Sequence, residues 1–286
     1  MNKLVPAICA ATVAGLAGVA SADHVDGVDI PTGGYPLLAT QNSPTQFGNA
    51  TGGGQDSAGG SELNQLFGDI RDGTLYLGLT GNLEANFNKL WIFLDGVDGG
   101  EMTLANDNLD GGFGEINNLA GLQFDVAMDH GFRFEVGDGF LGVNAFDLID
   151  NTAYSVVTGG GPGSLPLDTA MGSNGNVIVG WDNSNILGVD GTSAAGAATA
   201  TTGIELSVDL LGFLGSVPDT VNVTAFISNG DGSFLSNQVL PGANSAGNIG
   251  SPSGVMLNSV AAVAVPEPTS LALLGLGGIA ALRRRR

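Results

Sequence analysis

The sequence predicts an all-β protein, an antiparallel β-sandwich of jelly-roll type, with an N-terminal signal helix and a C-terminal transmembrane helix at its ends. Three observations carry this. About nine apolar runs of five to nine residues are separated by Gly, Asn and Asp. Glycine is 48 of 286 residues, about 17%, against roughly 7% in average proteins, as short strands joined by tight turns require. Helical periodicity is almost absent from the body, where only Leu63–Phe67 and Leu210–Leu214 are spaced for a single turn each.

The first segment, residues 1–22, reads as a secretory signal. Lys3 supplies a basic start, Leu4 to Val19 is apolar, and Ala20-Ser21-Ala22 has the small-x-small pattern of a cleavage site, so Asp23 is expected to begin the mature chain. Cys9 leaves with that segment. As the chain's single cysteine it also excludes an internal disulfide framework.

Residues 23–60 are rich in Gly, Asn, Ser and Thr, with Pro31, Pro36 and Pro44, and read as irregular with room for one or two strands. The sandwich is expected over 61–264. Thr74 to Thr80 alternates, with Leu75, Leu77 and Leu79 on one face. Lys89 to Asp95 is apolar on both faces and fits a central strand. Further strands are expected at Leu122–Met128, Phe132–Val136, Leu141–Ile149, Tyr154–Thr158, Val177–Trp181, Ile204–Val208 and Val221–Ser228. Asn229-Gly230-Asp231-Gly232 is a turn signal. Pro162-Gly163 and Gly191 to Gly196 read as loops.

The last segment, 265–286, has three parts. Val265, Pro266, Glu267 and Pro268 end whatever precedes them. Thr269 to Leu282 is apolar and would form a helix of about 21 Å, short for a bilayer core of about 30 Å unless the bilayer thins locally. Arg283, Arg284, Arg285 and Arg286 follow and would hold that end on the cytoplasmic side. This order resembles the PEP-CTERM sorting signal of Gram-negative bacteria. The resemblance implies Pro266, Glu267 and Pro268 as recognition residues, an exosortase as processing partner, transient membrane anchoring, and delivery to the cell surface or extracellular matrix. The runs Gly73–Leu83, Asn88–Asp95 and Gly203–Val208 are similar to sandwiches of the DOMON and family 9 carbohydrate-binding-module type. That likeness implies sugar or haem as ligand.

Charge narrows the function classes. Between Asp23 and Ala264 the only bases are Arg71, Lys89 and Arg133, against 27 acids, a net charge of −24. Nothing there neutralises phosphates, so nucleic acid is excluded as a partner. The charge favours divalent cations, and the acidic stretches Asp95, Asp98, Glu101 and Asn106, Asn108, Asp110 are candidate ligands for one Ca²⁺. The twelfth position of that second loop is Asn117, not a bidentate Glu, and two solvated polar turns are the alternative. His24 and His130 do not make a zinc site, and Met128 beside His130 is a poor axial pair for haem.

For sugar, Trp181 with Asp182 ends a strand beside Asn-rich loops and is a candidate platform, whereas Trp91 sits in an apolar run and reads as core. No G-x-S-x-G elbow is present. The expectation is a non-catalytic, exported module binding extracellular polysaccharide. A hydrolase using paired carboxylates and a purely structural surface protein are the alternatives.

Overall fold

The computed structural model describes residues 25–47, 60–84, 86–137, 140–158, 169–170, 176–185, 187–189, 196–242, 247–258 and 260–265. Among them the strands are, in chain order, β1 (Leu37–Thr40), β2 (Glu62–Arg71), β3 (Thr74–Asn82), β4 (Lys89–Asp95), β5 (Glu101–Thr103), β6 (Gln123–Met128), β7 (His130–Gly137) and β8 (Phe140–Asp147). They continue with β9 (Thr152–Thr158), β10 (Thr169–Ala170), β11 (Val177–Trp181), β12 (Gly203–Asp209), β13 (Thr220–Ser228), β14 (Leu235–Leu240), β15 (Met256–Leu257) and β16 (Ala261–Ala264). One five-residue helix, α1 (Leu210–Leu214), joins β12 to β13.

One sheet has the order β1-β2-β3-β12-β11-β10, and the other β14-β13-β4-β7-β8-β9 with β16 also on β13. Every pairing in both is antiparallel. Alternation sends one face of each sheet into a shared apolar layer. Leu66, Ile70, Leu75, Leu77, Val179 and Leu206 from the first sheet meet Leu90, Ile92, Phe132, Phe134, Val143 and Val223 from the second. Chain neighbours pair as meanders, and the chain crosses between sheets after β3, β9 and β12.

A second apolar layer lies on the outer face of the β14–β9 sheet. Trp91, Phe93, Phe146 and Phe226 are covered there by Leu104, Ile116, Leu119, Leu122 and Phe124. The cover is the excursion between β4 and β7, with a 3-10 turn at Glu115–Leu119 and a small sheet of β15, β6 and β5. This explains β4: Leu90, Ile92 and Leu94 face the inter-sheet core while Trp91 and Phe93 face the cover.

Differences from the sequence reading have identifiable causes. The stretch 63–67 is not a helical turn but part of β2. The register of β2 on β3 shifts between Leu63 and Gln65, and this bulge changes which residues face inward, so an i, i+3, i+4 pattern arises on a strand. Leu63, Leu66 and Ile70 then face the core, and Phe67 faces outward against Ile30 and Tyr35. The strand expected over 141–149 stops at Asp147, where the Asp147 carboxylate accepts the N–H groups of Ile149 and Asp150 in a turn.

Strand β14 gave no apolar signal because Ser236, Asn237 and Gln238 are buried polar residues. They bond to the N-terminal segment: Leu63 N–H and Ser43 C=O to Gln238, Gln46 N–H and Pro44 C=O to Asn237. The expected signal helix, its cleavage residues Ala20, Ala22 and Asp23, the transmembrane helix, and the 162–163 and 191–195 loops lie outside the described residues.

Candidate functional site

Strand β13 carries an open polar surface to the end of the body where β16 pairs with it. Pairing in register puts Asn222 opposite Asp95, the last residue of β4, and Asn222 Nδ2 donates to Asp95 Oδ2 at 2.8 Å. Around this pair Val97, Asp98, Ser216, Pro218 and Thr220 line an open cleft of about 470 Å³. Its walls are hydroxyl, amide and carboxylate groups. Behind the cleft lies Asp129, fully buried, whose Oδ2 accepts the N–H groups of Gly96 and Val97 at 2.7 Å each. Asp129 Oδ1 in turn accepts from His130 Nδ1 at 3.0 Å. The loop that presents Asp98 is therefore fixed from behind.

Burial pushes the Asp95 carboxyl up from its ordinary value, the Asn222 hydrogen bond opposes this, and the charges of Asp129 and then Asp98 add to the rise. A raised folded value means that Asp95 favours the fold when protonated, and this contribution is lost as pH rises through the folded value. Asp95→Asn should therefore raise the unfolding midpoint at neutral pH. The gain should vanish below the ordinary carboxyl value of 3.8. Thermal unfolding of both proteins across that range tests this, and an equal gain at all pH values would contradict it.

The six residues proposed from sequence as calcium ligands do not converge. Asp95 and Asp98 line the cleft. Glu101 Oε2 accepts from Ala105 N–H and Asn108 Nδ2, holding its own turn closed. Asn106 is exposed. Asp110, buried, accepts from Gly112, Gly114 and Ile116 N–H and lies 3.7 Å from Arg133. Among the described residues no three His, Cys, Asp or Glu side chains are grouped to hold a metal ion.

Trp181 presents no face to a ligand. It is 1% exposed, packs on Phe134 with ring centroids 5.9 Å apart, and its neighbours Leu63, Leu79, Leu90 and Ile227 leave only about 10 Å³ free. The strand alternation that buries Val177 and Val179 buries Trp181 with them. Asp182 is half-buried and accepts from Ser184 N–H. Asn183 in the same loop bonds both ways to the Leu83 backbone, so those amides tie loops together.

Sequence reasoning missed Asn222, Thr220, Ser216 and Asp129 because no local motif marks them. Only the pairing of β13 with β4 brings residues more than a hundred positions apart to one cleft.

A second polar cluster lies at the other end of β4. Lys89 and Arg133, two of the body's three bases, are each 2% exposed. Arg133 Nη1 meets Glu115 at 2.5 Å and its Nη2 meets Glu135 at 3.3 Å. Lys89 Nζ pairs with Glu135 and lies 3.5 Å from Glu115. The cluster clamps the covering layer to the sheet.

The chain leaves the body beside the cleft. β16 pairs with the first half of β13, Thr220 opposite Ala264 and Asn222 opposite Ala262, and Val265 N–H donates to Asp219 C=O at 3.0 Å. Pro266, Glu267, Pro268 and Arg283 to Arg286 lie outside the described residues. No helix among the described residues is long and apolar enough to cross a membrane. No match was found among curated proteins or among solved structures. One family does match, the PEP-CTERM protein-sorting motif, over residues 264–286. Its first residue, Ala264, is the last of β16, and its second, Val265, is the last described residue. The chain carries a PEP-CTERM protein-sorting motif that begins at the last residue of β16 in an antiparallel β-rich body, the signature of an exosortase-sorted surface protein.

Proposed function

We propose that this is an exported, non-catalytic surface or matrix protein of a Gram-negative bacterium that binds extracellular carbohydrate. In this reading residues 1–22 are removed on export, the tail anchors the chain transiently, and an exosortase processes it. The observation that carries the reading is the junction: the motif starts inside β16, so the folded body itself is the cargo presented at the membrane face. The cleft of Asp98, Ser216, Thr220 and Asn222 supplies the hydroxyl, amide and carboxylate partners that sugar hydroxyls need.

Three measurements test it. Intact mass of protein recovered from its host should lack both residues 1–22 and the residues after about Val265. Deleting 266–286, which keeps β16 in place, should move the protein from the surface fraction to the medium. Unchanged localisation would defeat the sorting claim. For the cleft, Asn222→Ala should weaken retention of the protein in native gels containing neutral polysaccharide.

One observation favours a second reading. Asp95, with its raised carboxyl, and Asp98 share the cleft, the arrangement of a paired-carboxylate hydrolase. Release of reducing ends from a bound polysaccharide, abolished in Asp95→Asn, would establish turnover. Binding without release would support the non-catalytic reading.

A further inference from the structure

The end of the body opposite Val265 carries three exposed aromatic rings, of which Phe234 stacks one face on Phe47 at 6.2 Å and Phe113 touches no other ring among the described residues. Phe113 is fully exposed, Phe87 is half exposed and Phe234 is 40% exposed. All three belong to loops at the Lys89 end of β4. Phe87 lies two residues before that strand and its ring stands 6.2 Å from Phe140, the first residue of β8. Phe234 closes the turn after β13, whose Ser228 is opposite Lys89. Phe113 sits on the loop whose Glu115 contacts Lys89 and Arg133. The loops touch one another: Asn118 Nδ2 donates to Asp231 C=O at 2.7 Å, and Gly230 lies against the Phe87 carbonyl.

The Phe113 loop is braced, not loose. Buried Asp110 accepts three of its N–H groups, and Glu115 Oε2 accepts the Phe113 N–H itself at 2.9 Å. Gly111 and Gly114 hold positive φ, and a Cβ on Gly112 would overlap the Arg133 guanidinium. These constraints place glycine on both sides of Phe113 and leave both ring faces open. The ring is fully exposed, so both of its apolar faces are open to a ligand.

Charge and position select the occupant. Lys89 and Arg133 are buried, and Arg71, the body's third base, bonds to Asp69 and the Gly34 carbonyl. The exterior therefore repels anionic polymers and anionic lipid. The chain leaves the body beside Asp95, and the seven residues of β4 separate that point from the Lys89 end by about 20 Å. The aromatic loops thus lie at the end of the body opposite Val265. Separate rings beside exposed Asn118 do not form the continuous apolar area a stable protein interface requires. They do suit flat sugar faces with hydroxyls at their edges.

We propose that the tail-distal loops form a second carbohydrate site, in which a neutral polysaccharide chain stacks on Phe113, with Phe87 and Phe234 as flanking platforms. The proposal rests on the carbohydrate reading above but uses a different surface from the cleft.

The test is native affinity electrophoresis of the full chain in mild detergent through gels containing laminarin, dextran or hydroxyethyl cellulose, with alginate as the anionic control. At least one neutral polymer should retard the wild type, and alginate should not. Phe113→Ala should weaken that retardation by about tenfold in apparent affinity, and Phe113→Trp should restore it. Unchanged circular dichroism is expected for both, because the side chain is fully exposed. Asn222→Ala read in the same gels separates the two sites. Loss only in Asn222→Ala overturns this site and leaves the cleft; loss only in Phe113→Ala overturns the cleft and supports this one. A wild type retarded by no neutral polymer, or a self-association by sedimentation that Phe113→Ala abolishes, overturns the proposal.

Discussion

Arg133→Met should destabilise the body by about 3–5 kcal/mol, because it removes one partner of a buried ionic cluster and leaves the others in place. Arg133 is 2% exposed and faces Glu115, Glu135 and, at 3.7 Å, Asp110. After the change only Lys89 remains to offset those carboxylates. Equilibrium urea unfolding measures the loss. Adding Glu115→Gln to Arg133→Met should recover part of it, since the isolated charge is then gone. A loss under about 1 kcal/mol would mean that water reaches the cluster and that the clamp is weak. The effect should also be local: the cluster joins the covering layer to β4 and β7, so amide exchange should rise first over residues 109–122.

Trp91→Ala should cost a similar amount, about 3–5 kcal/mol, through a cavity in the outer apolar layer. Trp91 is fully buried, stacks with Phe93 at 6.4 Å, meets Phe146 edge-on at 6.3 Å, and donates from Nε1 to Ser228 Oγ at 2.8 Å. In a domain of this size that loss lowers the melting temperature by about 10 °C. Trp91→Phe should cost clearly less, because most of the ring volume stays and the Ser228 hydroxyl still has the Asn229 carbonyl at 3.0 Å. Equal costs for the two would show that the hydrogen bond, not the packing, holds the layer. Thermal unfolding of both variants decides between them.

The sequence was most informative where alternation was regular. Lys89–Asp95 and Val177–Trp181 are strands over those residues, and the turn at Asn229 to Gly232 closes with Gly232 N–H on the Asn229 carbonyl. Leu210–Leu214 is a single helical stretch as its spacing predicts. The reading failed where a strand breaks its own period, as the bulge in β2 does, and where burial is polar, as in β14. The covering layer was invisible for a further reason: Leu104, Ile116 and Leu119 are scattered in a Gly- and Asn-rich excursion and acquire meaning only against Trp91 and Phe93.

Of the candidate site, Asp95 and Asp98 were legible as acids near a turn, but their cleft partners come from β13 and the loop before it, which no spacing rule reaches. Trp181 was legible as a tryptophan at a strand end, at a core edge or at a site, and one strand in isolation does not say which face the sheets will cover. The sorting motif differs from all of these. Its information lies in short-range order along the chain, so its residues could be named without any fold.

The junction at Val265 has a mechanical consequence. Because the motif begins at the last residue of β16, any tension that the tail transmits to the body enters through that strand. The first group to carry it is the Val265 N–H on the Asp219 carbonyl. The load then passes to the rungs of Ala264 on Thr220, Val263 on Val221, Ala262 on Asn222 and Ala261 on Val223. These four paired residues act as a fuse: force that strips them unseats Val263 from the core and bares the first half of β13, while β14 still holds the second half. A pull through Val265 is thereby felt within the body at Asn222, the residue that bonds Asp95, so the cleft and the start of the sorting motif share one line of force.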